Sequence, residues 1–110
     1  MDLSKYERLT EKMQEDDADL QIWGGSGYVK FSVDVATRFN LKERDRVSVF
    51  ANNDNLVFIC GKKQDKRITS SYNNIMSFYL KGYPALNGKY NLIEALYEGE
   101  DVILKFKKRP

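Results

Sequence analysis

The chain predicts a small, mostly β domain of the α+β kind, with an N-terminal helix and one short internal helix. Three observations carry this prediction. Apolar and polar residues alternate over several short runs, as at Val29, Phe31 and Val33 and again at Val102, Leu104 and Phe106, which is the period of a half-buried strand. Turn-forming residues punctuate those runs, as in Asn52-Asn53-Asp54-Asn55 and Gly82-Tyr83-Pro84-Ala85-Leu86-Asn87-Gly88. Helical spacing occurs in only two places, near the N-terminus and between residues 33 and 41. With 110 residues, 42% of them hydrophobic, the chain supports one domain with a modest core.

Leu3, Tyr6, Leu9 and Met13 fall at helical spacing, and Ser4-x-x-Glu7 is a capping box, so a helix is expected from about residue 5 to residue 15. Glu15-Asp16-Asp17 oppose the helix dipole and mark its end. Residues 1–20 are read as a separate helical segment and residues 21–110 as the β-rich domain. Gly24-Gly25-Ser26-Gly27 lacks the Lys-Ser/Thr of a phosphate-cradling loop and is read as a flexible joint before the first strand.

The strand Val29, Phe31, Val33 is followed by a helix with Val35, Phe39 and Leu41 on one side, a charged turn, and a strand alternating at Val47 and Val49. Asn52-Asn53-Asp54-Asn55 tolerates a left-handed backbone, so Phe50 and Leu56 flank a tight reversal into Leu56-Val57-Phe58-Ile59. Cys60, after that strand, reads as a small buried thiol. Residues 75–80 are apolar at both alternating sets, as suits a central strand. Tyr90, Leu92 and Ile93 mark the next strand, and Val102, Leu104 and Phe106 the last, with Lys105 and Lys107 on its other face.

Laid out in order, Gly27-Tyr28-Val29-Lys30-Phe31-Ser32, Phe39-Asn40-Leu41 and Arg44-Asp45-Arg46-Val47 resemble the motif of the AbrB-like family of swapped-hairpin transcription factors, which includes antitoxins of the MazE type. The resemblance covers residues 27–59. It implies a swapped-hairpin-like β-barrel, binding of double-stranded DNA, and a homodimer whose two chains close one barrel. Ser32 stands where that family has proline, and Asn40 and Arg44 where it has glycine; asparagine is the next best residue for the left-handed position ending a helix. The family's consecutive basic helix residues correspond to Ala36 and Thr37, with Arg38 beside them.

Leu96-Tyr97-Glu98-Gly99-Glu100-Asp101-Val102 echoes Leu41-Lys42-Glu43-Arg44-Asp45-Arg46-Val47. A degenerate repeat of residues 27–60 and 88–107 would close the barrel within one chain as a pseudo-dimer.

Composition narrows the function. The chain has no histidine and one cysteine, so it cannot build a Ser-His or Cys-His nucleophile or an ordinary Cys/His zinc site. No catalytic residue, cofactor or metal is expected. No apolar run approaches a membrane span and the N-terminus lacks a basic start followed by an apolar stretch, so a cytoplasmic protein is expected. Residues 1–20 carry seven acids and three bases, net −4, which leaves nine acids and fifteen bases, net +6, for residues 21–110.

Clustered cations of this kind neutralise phosphates. The expected function is a DNA-binding transcription regulator or antitoxin-like module, with Lys30, Arg38, Arg44, Arg46, Lys62, Lys63, Lys66 and Arg67 contacting phosphates or base edges. The alternative is a protein-binding inhibitor or accessory factor of mobile-element origin. It would act through the acidic helix or through exposed tyrosines among Tyr72, Tyr79, Tyr83, Tyr90 and Tyr97.

Overall fold

The computed structural model describes residues 2–6, 18–71 and 75–110. Their strands are β1 (Leu20–Trp23), β2 (Tyr28–Phe31), β3 (Arg46–Asn52), β4 (Asn55–Gly61), β5 (Lys66–Arg67), β6 (Thr69–Ser71), β7 (Ile75–Tyr79), β8 (Gly88–Glu98) and β9 (Asp101–Lys108). One helix, α1 (Val33–Arg38), and a 3-10 turn (Pro84–Leu86) complete the described elements. The strands form one antiparallel sheet in the order β5-β3-β4-β9-β8-β1-β2-β7-β6.

The two ends of that order are neighbours in the chain. β5 pairs with β3 (Arg46↔Arg67) and β6 pairs with β7 (Thr69↔Ser77). Between them the wholly buried Ile68 donates its N–H to the Asp45 carbonyl at 2.7 Å and accepts from the Arg44 N–H at 3.0 Å. The sheet thus curls into a nearly closed barrel inside a single chain, which takes up strand edges that a lone hairpin would leave open.

Inward-facing aromatics fill the barrel. Phe58 packs edge-on against Phe31 (5.6 Å between ring centroids), Phe78 (5.8 Å) and Phe106 (5.3 Å). Leu20, Ile22, Val29, Val47, Leu56 and Leu104 surround them, all essentially inaccessible.

Much of the central motif forms as its residues dictate. The Ser32 hydroxyl caps α1 by accepting from the Val35 N–H at 3.1 Å, while Val35, Phe39 and Leu41 turn into the core. Asn40, at φ 55°, ends the helix in a left-handed residue. The Leu41 and Asn40 N–H groups return to the carbonyls of Ala36 and Thr37, a Schellman closure in which asparagine does the usual work of glycine. Arg44 is also left-handed, at φ 80°. Asn53 (φ 54°) and Asp54 form the two-residue turn of the β3–β4 hairpin, across which Asn52 pairs with Asn55.

Several expectations change. Val33 belongs to α1 and is 57% exposed, because capping by Ser32 stops the strand at Phe31. Residues 24–27 are a hairpin turn rather than a flexible joint: they link β2 to β1, a strand the sequence reading missed. Gly24 and Gly27 take φ 81° and 65° there, and a Cβ on Gly27 would overlap the Leu80 carbonyl. The barrel begins before residue 21, since Ala18 is buried and Asp19 binds the Leu92 and Ser32 N–H groups. Of the expected N-terminal helix, residues 7–15 lie outside the described residues; residues 4 and 5 form a turn. Phe50 stands on the outer face, 56% exposed. The echoed segments differ locally: residues 41–47 leave a helix, whereas residues 96–102 are the tip of the β8–β9 hairpin.

Val47→Asp should cost about 3 kcal/mol or more by burying an unpaired charge, and Lys63→Ala less than about 0.5 kcal/mol. Gly27→Ala should behave like the core variant. Urea melts that rank all three alike would contradict the register described here.

Candidate nucleic-acid interface

The same alternation that sends Leu20, Ile22, Val29, Phe31 and Phe78 inward sends their neighbours out. Across β1, β2 and β7 the residues of that face pair in rows: Trp23 opposite Tyr28 and Tyr28 opposite Tyr79, then Gln21 opposite Lys30 and Lys30 opposite Ser77, which is itself buried. The three rings form one continuous file, with centroids 4.8 Å apart from Trp23 to Tyr28 and 5.3 Å from Tyr28 to Tyr79, both edge-to-face. Trp23 is 39% and Tyr79 49% exposed. Display of large rings on a barrel exterior costs apolar burial.

Cations border the file. The Lys30 ammonium lies 5.9 Å from the centre of the Trp23 ring, within the range of a cation–π contact. Lys89 stands across Gln21 on β8, and the Arg109 N–H donates to its carbonyl at 2.8 Å. At the other end, the Lys66 ammonium donates to the Tyr79 carbonyl oxygen. Extending the Thr69↔Ser77 register by two residues brings Arg67 level with Tyr79. Residues 18–32, 66–71 and 75–90 together hold Lys30, Lys66, Arg67, Lys81 and Lys89 against a single acid, Asp19. The Asp19 carboxylate already accepts from the Leu92 N–H at 2.7 Å. Residues 91–101, by contrast, carry Glu94, Glu98, Glu100 and Asp101 and no base, so the tip of the β8–β9 hairpin is acidic. A polar cleft of about 440 Å³ opens beside Lys30, lined by Gln21, Ser32, Asp34 and Asp19 among others.

The eight basic residues singled out from sequence divide by their surroundings. Lys30, Lys66 and Arg67 border the aromatic file. Arg38 is exposed at the end of α1, its guanidinium 5.1 Å from the Phe39 ring centre. Arg44 is exposed in the turn before β3, and Lys62 and Lys63 are exposed in the turn after β4. Arg46 is structural: its guanidinium donates to the carbonyls of Gln64 and Asp65 at 2.6 and 2.7 Å, which pins the 62–65 turn against β3.

Among the tyrosines, Tyr90 is not exposed. It is 1% accessible and its hydroxyl donates to the Leu86 carbonyl at 2.7 Å. Tyr79, Tyr83 and Tyr97 are exposed, and Tyr72 lies outside the described residues. Trp23, Tyr28 and Lys89 were missed as site residues. A signal for the first two existed, since Leu20 and Ile22 alternate with Gln21 and Trp23 directly before a glycine-rich turn, the pattern of a hairpin.

Among the described residues no three carboxylate or thiol groups converge on a possible metal position, and no helix is long and apolar enough to cross a membrane. Cys60 is buried, and burial pushes its thiol up to about 12, with the Asp45 and Asp101 carboxylates acting in the same direction. Burial, helped by Asp54, also raises the Tyr90 phenol.

No protein-family model, curated protein or solved structure matches the chain.

Both raised groups keep their protons in the folded chain at pH values where the unfolded chain loses them. Stability is therefore fully present below pH about 9, the ordinary thiol value, and falls as pH rises toward 12. The slope contributed by Cys60 approaches about 1.4 kcal/mol per pH unit. Urea melts across this range should show the decline, and Cys60→Ala should make it shallower; an unchanged slope in the variant would refute the assignment.

Proposed function

We propose that this chain is a nucleic-acid-binding module, acting on DNA as a regulator or antitoxin-like factor. The observation that carries this reading is the surface on and around the outer face of β1, β2 and β7, where Lys30, Lys66, Arg67, Lys81 and Lys89 stand against two acids, Asp19 and Asp34, the first of them already hydrogen-bonded within the fold. None of Lys30, Arg67 or Lys89 has a carboxylate partner among the described residues. Their charge is free to neutralise phosphates and release condensed counterions. The acidic hairpin tip at the other end of β8 orients the molecule, since a polyanion is attracted to one face and repelled by the other.

The regulator role draws on the resemblance of residues 27–59 to AbrB-like proteins. It is supported by the left-handed Asn40 and Arg44, which stand where that family has glycine. The contact set differs from the one expected from sequence: Lys89 joins it, and Arg46, whose guanidinium is bound to two carbonyls, leaves it.

A second reading, binding of a protein partner or of a second copy of the chain, is favoured by a different observation. β1 pairs with β8 only at residues 88–90, so the outer edge of residues 91–98 has no strand partner among the described residues. Ile93, Leu96 and Tyr97 are 51%, 43% and 67% exposed there. Light scattering over a range of concentrations tests self-association through this edge.

If about four to six phosphates are contacted, affinity for DNA should drop on the order of a hundredfold or more between about 50 and 200 mM salt. Joint replacement of Lys30, Arg67 and Lys89 by alanine should flatten the log–log slope by up to about 0.9 per residue. Lys105→Ala should leave it nearly unchanged. Fluorescence anisotropy at low salt checks this; no binding to genomic or random-sequence DNA at tens of micromolar protein would transfer the weight to the protein partner.

A further inference from the structure

Phosphate binding alone needs no aromatic rings. A duplex offers its backbone and groove edges while its base faces are stacked away, so rings displayed on a barrel face find no planar partner in it. Unpaired bases do offer such faces, and base–aromatic stacking tolerates any sequence because every base has a π-face.

We infer that the file Trp23-Tyr28-Tyr79 is a stacking platform for single-stranded nucleic acid, with Lys30, Lys89 and Arg67 tracking the backbone beside it. This rests on the nucleic-acid reading above and specifies its substrate class. Three features of the face support it together. First, the rings sit on three adjacent strands rather than along one, so consecutive unstacked bases can lie across the sheet from Trp23 to Tyr79, a path of about 10 Å at ordinary strand spacing. Second, the rings at both ends of the file are the exposed ones, while Tyr28 between them is half-buried and wedges them apart. The outer rings therefore present surface to a ligand and not merely to each other. Third, the cations flank the file instead of interrupting it: Lys89 on β8 and Lys30 on β2 lie in the row beside it, with Gln21 between them, and the β6–β7 register, continued by two residues, brings Arg67 level with Tyr79.

The platform is rigid. Tyr28 is held in ladders on both sides, by Trp23 and by Tyr79, and Trp23 lies between Tyr28 and the Gly24–Gly27 turn. The Lys66 ammonium, bound to the Tyr79 carbonyl, fastens the closing segment of the barrel to the end of the file. Backbone hydroxyls are not read by such a surface, so DNA and RNA strands are both substrates of the same chemistry.

Trp23 is the only tryptophan of the chain, which makes its emission a direct reporter. Short oligo-dT and oligo-U, a hairpin duplex and heparin are titrated into the full chain at fixed low salt. At least one single strand should quench Trp23 and bind about tenfold or more tighter than the duplex. Heparin, a polyanion without bases, should bind without quenching. Tyr79→Ala should weaken the single strand about tenfold and leave heparin affinity and the salt slope unaltered, whereas Tyr79→Phe should retain the affinity. The Tyr79 side chain lies outside the core, and thermal melts by circular dichroism confirm that both variants fold. Duplex binding as tight as single-strand binding, with no quenching by either strand type, overturns the platform but leaves the nucleic-acid reading standing. Absence of binding by every nucleic acid overturns both.

Discussion

Closure of the barrel through Ile68 is the constraint on which the rest of the structure depends. The run from Lys66 to Ser71 is too short to complete a sheet alone, yet it pairs with β3 at one end and β7 at the other. Ile68 sits at the changeover, wholly buried, with both backbone groups bonded to the turn that precedes β3. Buried backbone groups must be paired, so this pair of bonds fixes where the charged turn at residues 42–45 rests. The left-handed conformation of Arg44 belongs to the same arrangement, because its N–H must reach the Ile68 carbonyl. The charged turn is thereby part of the seam.

Once the barrel is nearly closed, the alternation of each strand acquires an inside and an outside. Phe31, Phe58, Phe78 and Phe106 take the interior, where edge-to-face packing fills the volume. The exterior is left to whatever alternates with them. On β3, β4 and β9 this is a mixture of charged, polar and aliphatic residues with a single exposed ring, Phe50, but on β1, β2 and β7 it is three adjoining rings and their bordering cations. Exposed aromatic residues standing singly need no explanation, whereas a contiguous file of them marks a surface that meets something. The charge separation sharpens this, since bases collect beside the rings and acids collect at the far tip of β8 and β9.

The central motif was readable because its signals are local. A hydroxyl before an apolar helix caps it, asparagine tolerates the left-handed exit, and Asn53-Asp54 fits a two-residue hairpin. The candidate site was readable only in part. Lys30, Lys66 and Arg67, which border the rings, are visible in sequence as basic letters, but their position beside the rings is not. The anchoring of Arg46 was not legible, because a guanidinium bound to two carbonyls looks no different in sequence from a free one. Tyr90 was misplaced for a related reason: its outward or inward sense depends on pairing with Leu20, at the end of a strand that had gone unrecognised. Missing β1 removed Trp23 from consideration and made the glycine turn look like a joint.

The sequence by itself determined the class of structure, the order of the central strand, helix and hairpin, the burial of Cys60 and the excess of positive charge outside the first twenty residues. These follow from periodicity, capping, turn chemistry and composition, all of which act between residues near one another in the chain. Tertiary structure alone decided which basic residues gather and which rings adjoin them. Trp23 and Tyr28 are close in sequence, but Tyr79 joins them only through the pairing of β2 with β7, and Arg67 reaches that row only because Ile68 closes the sheet. Contacts between residues about fifty positions apart are set by strand register, and register is fixed by the whole pattern of core packing rather than by any local run of residues.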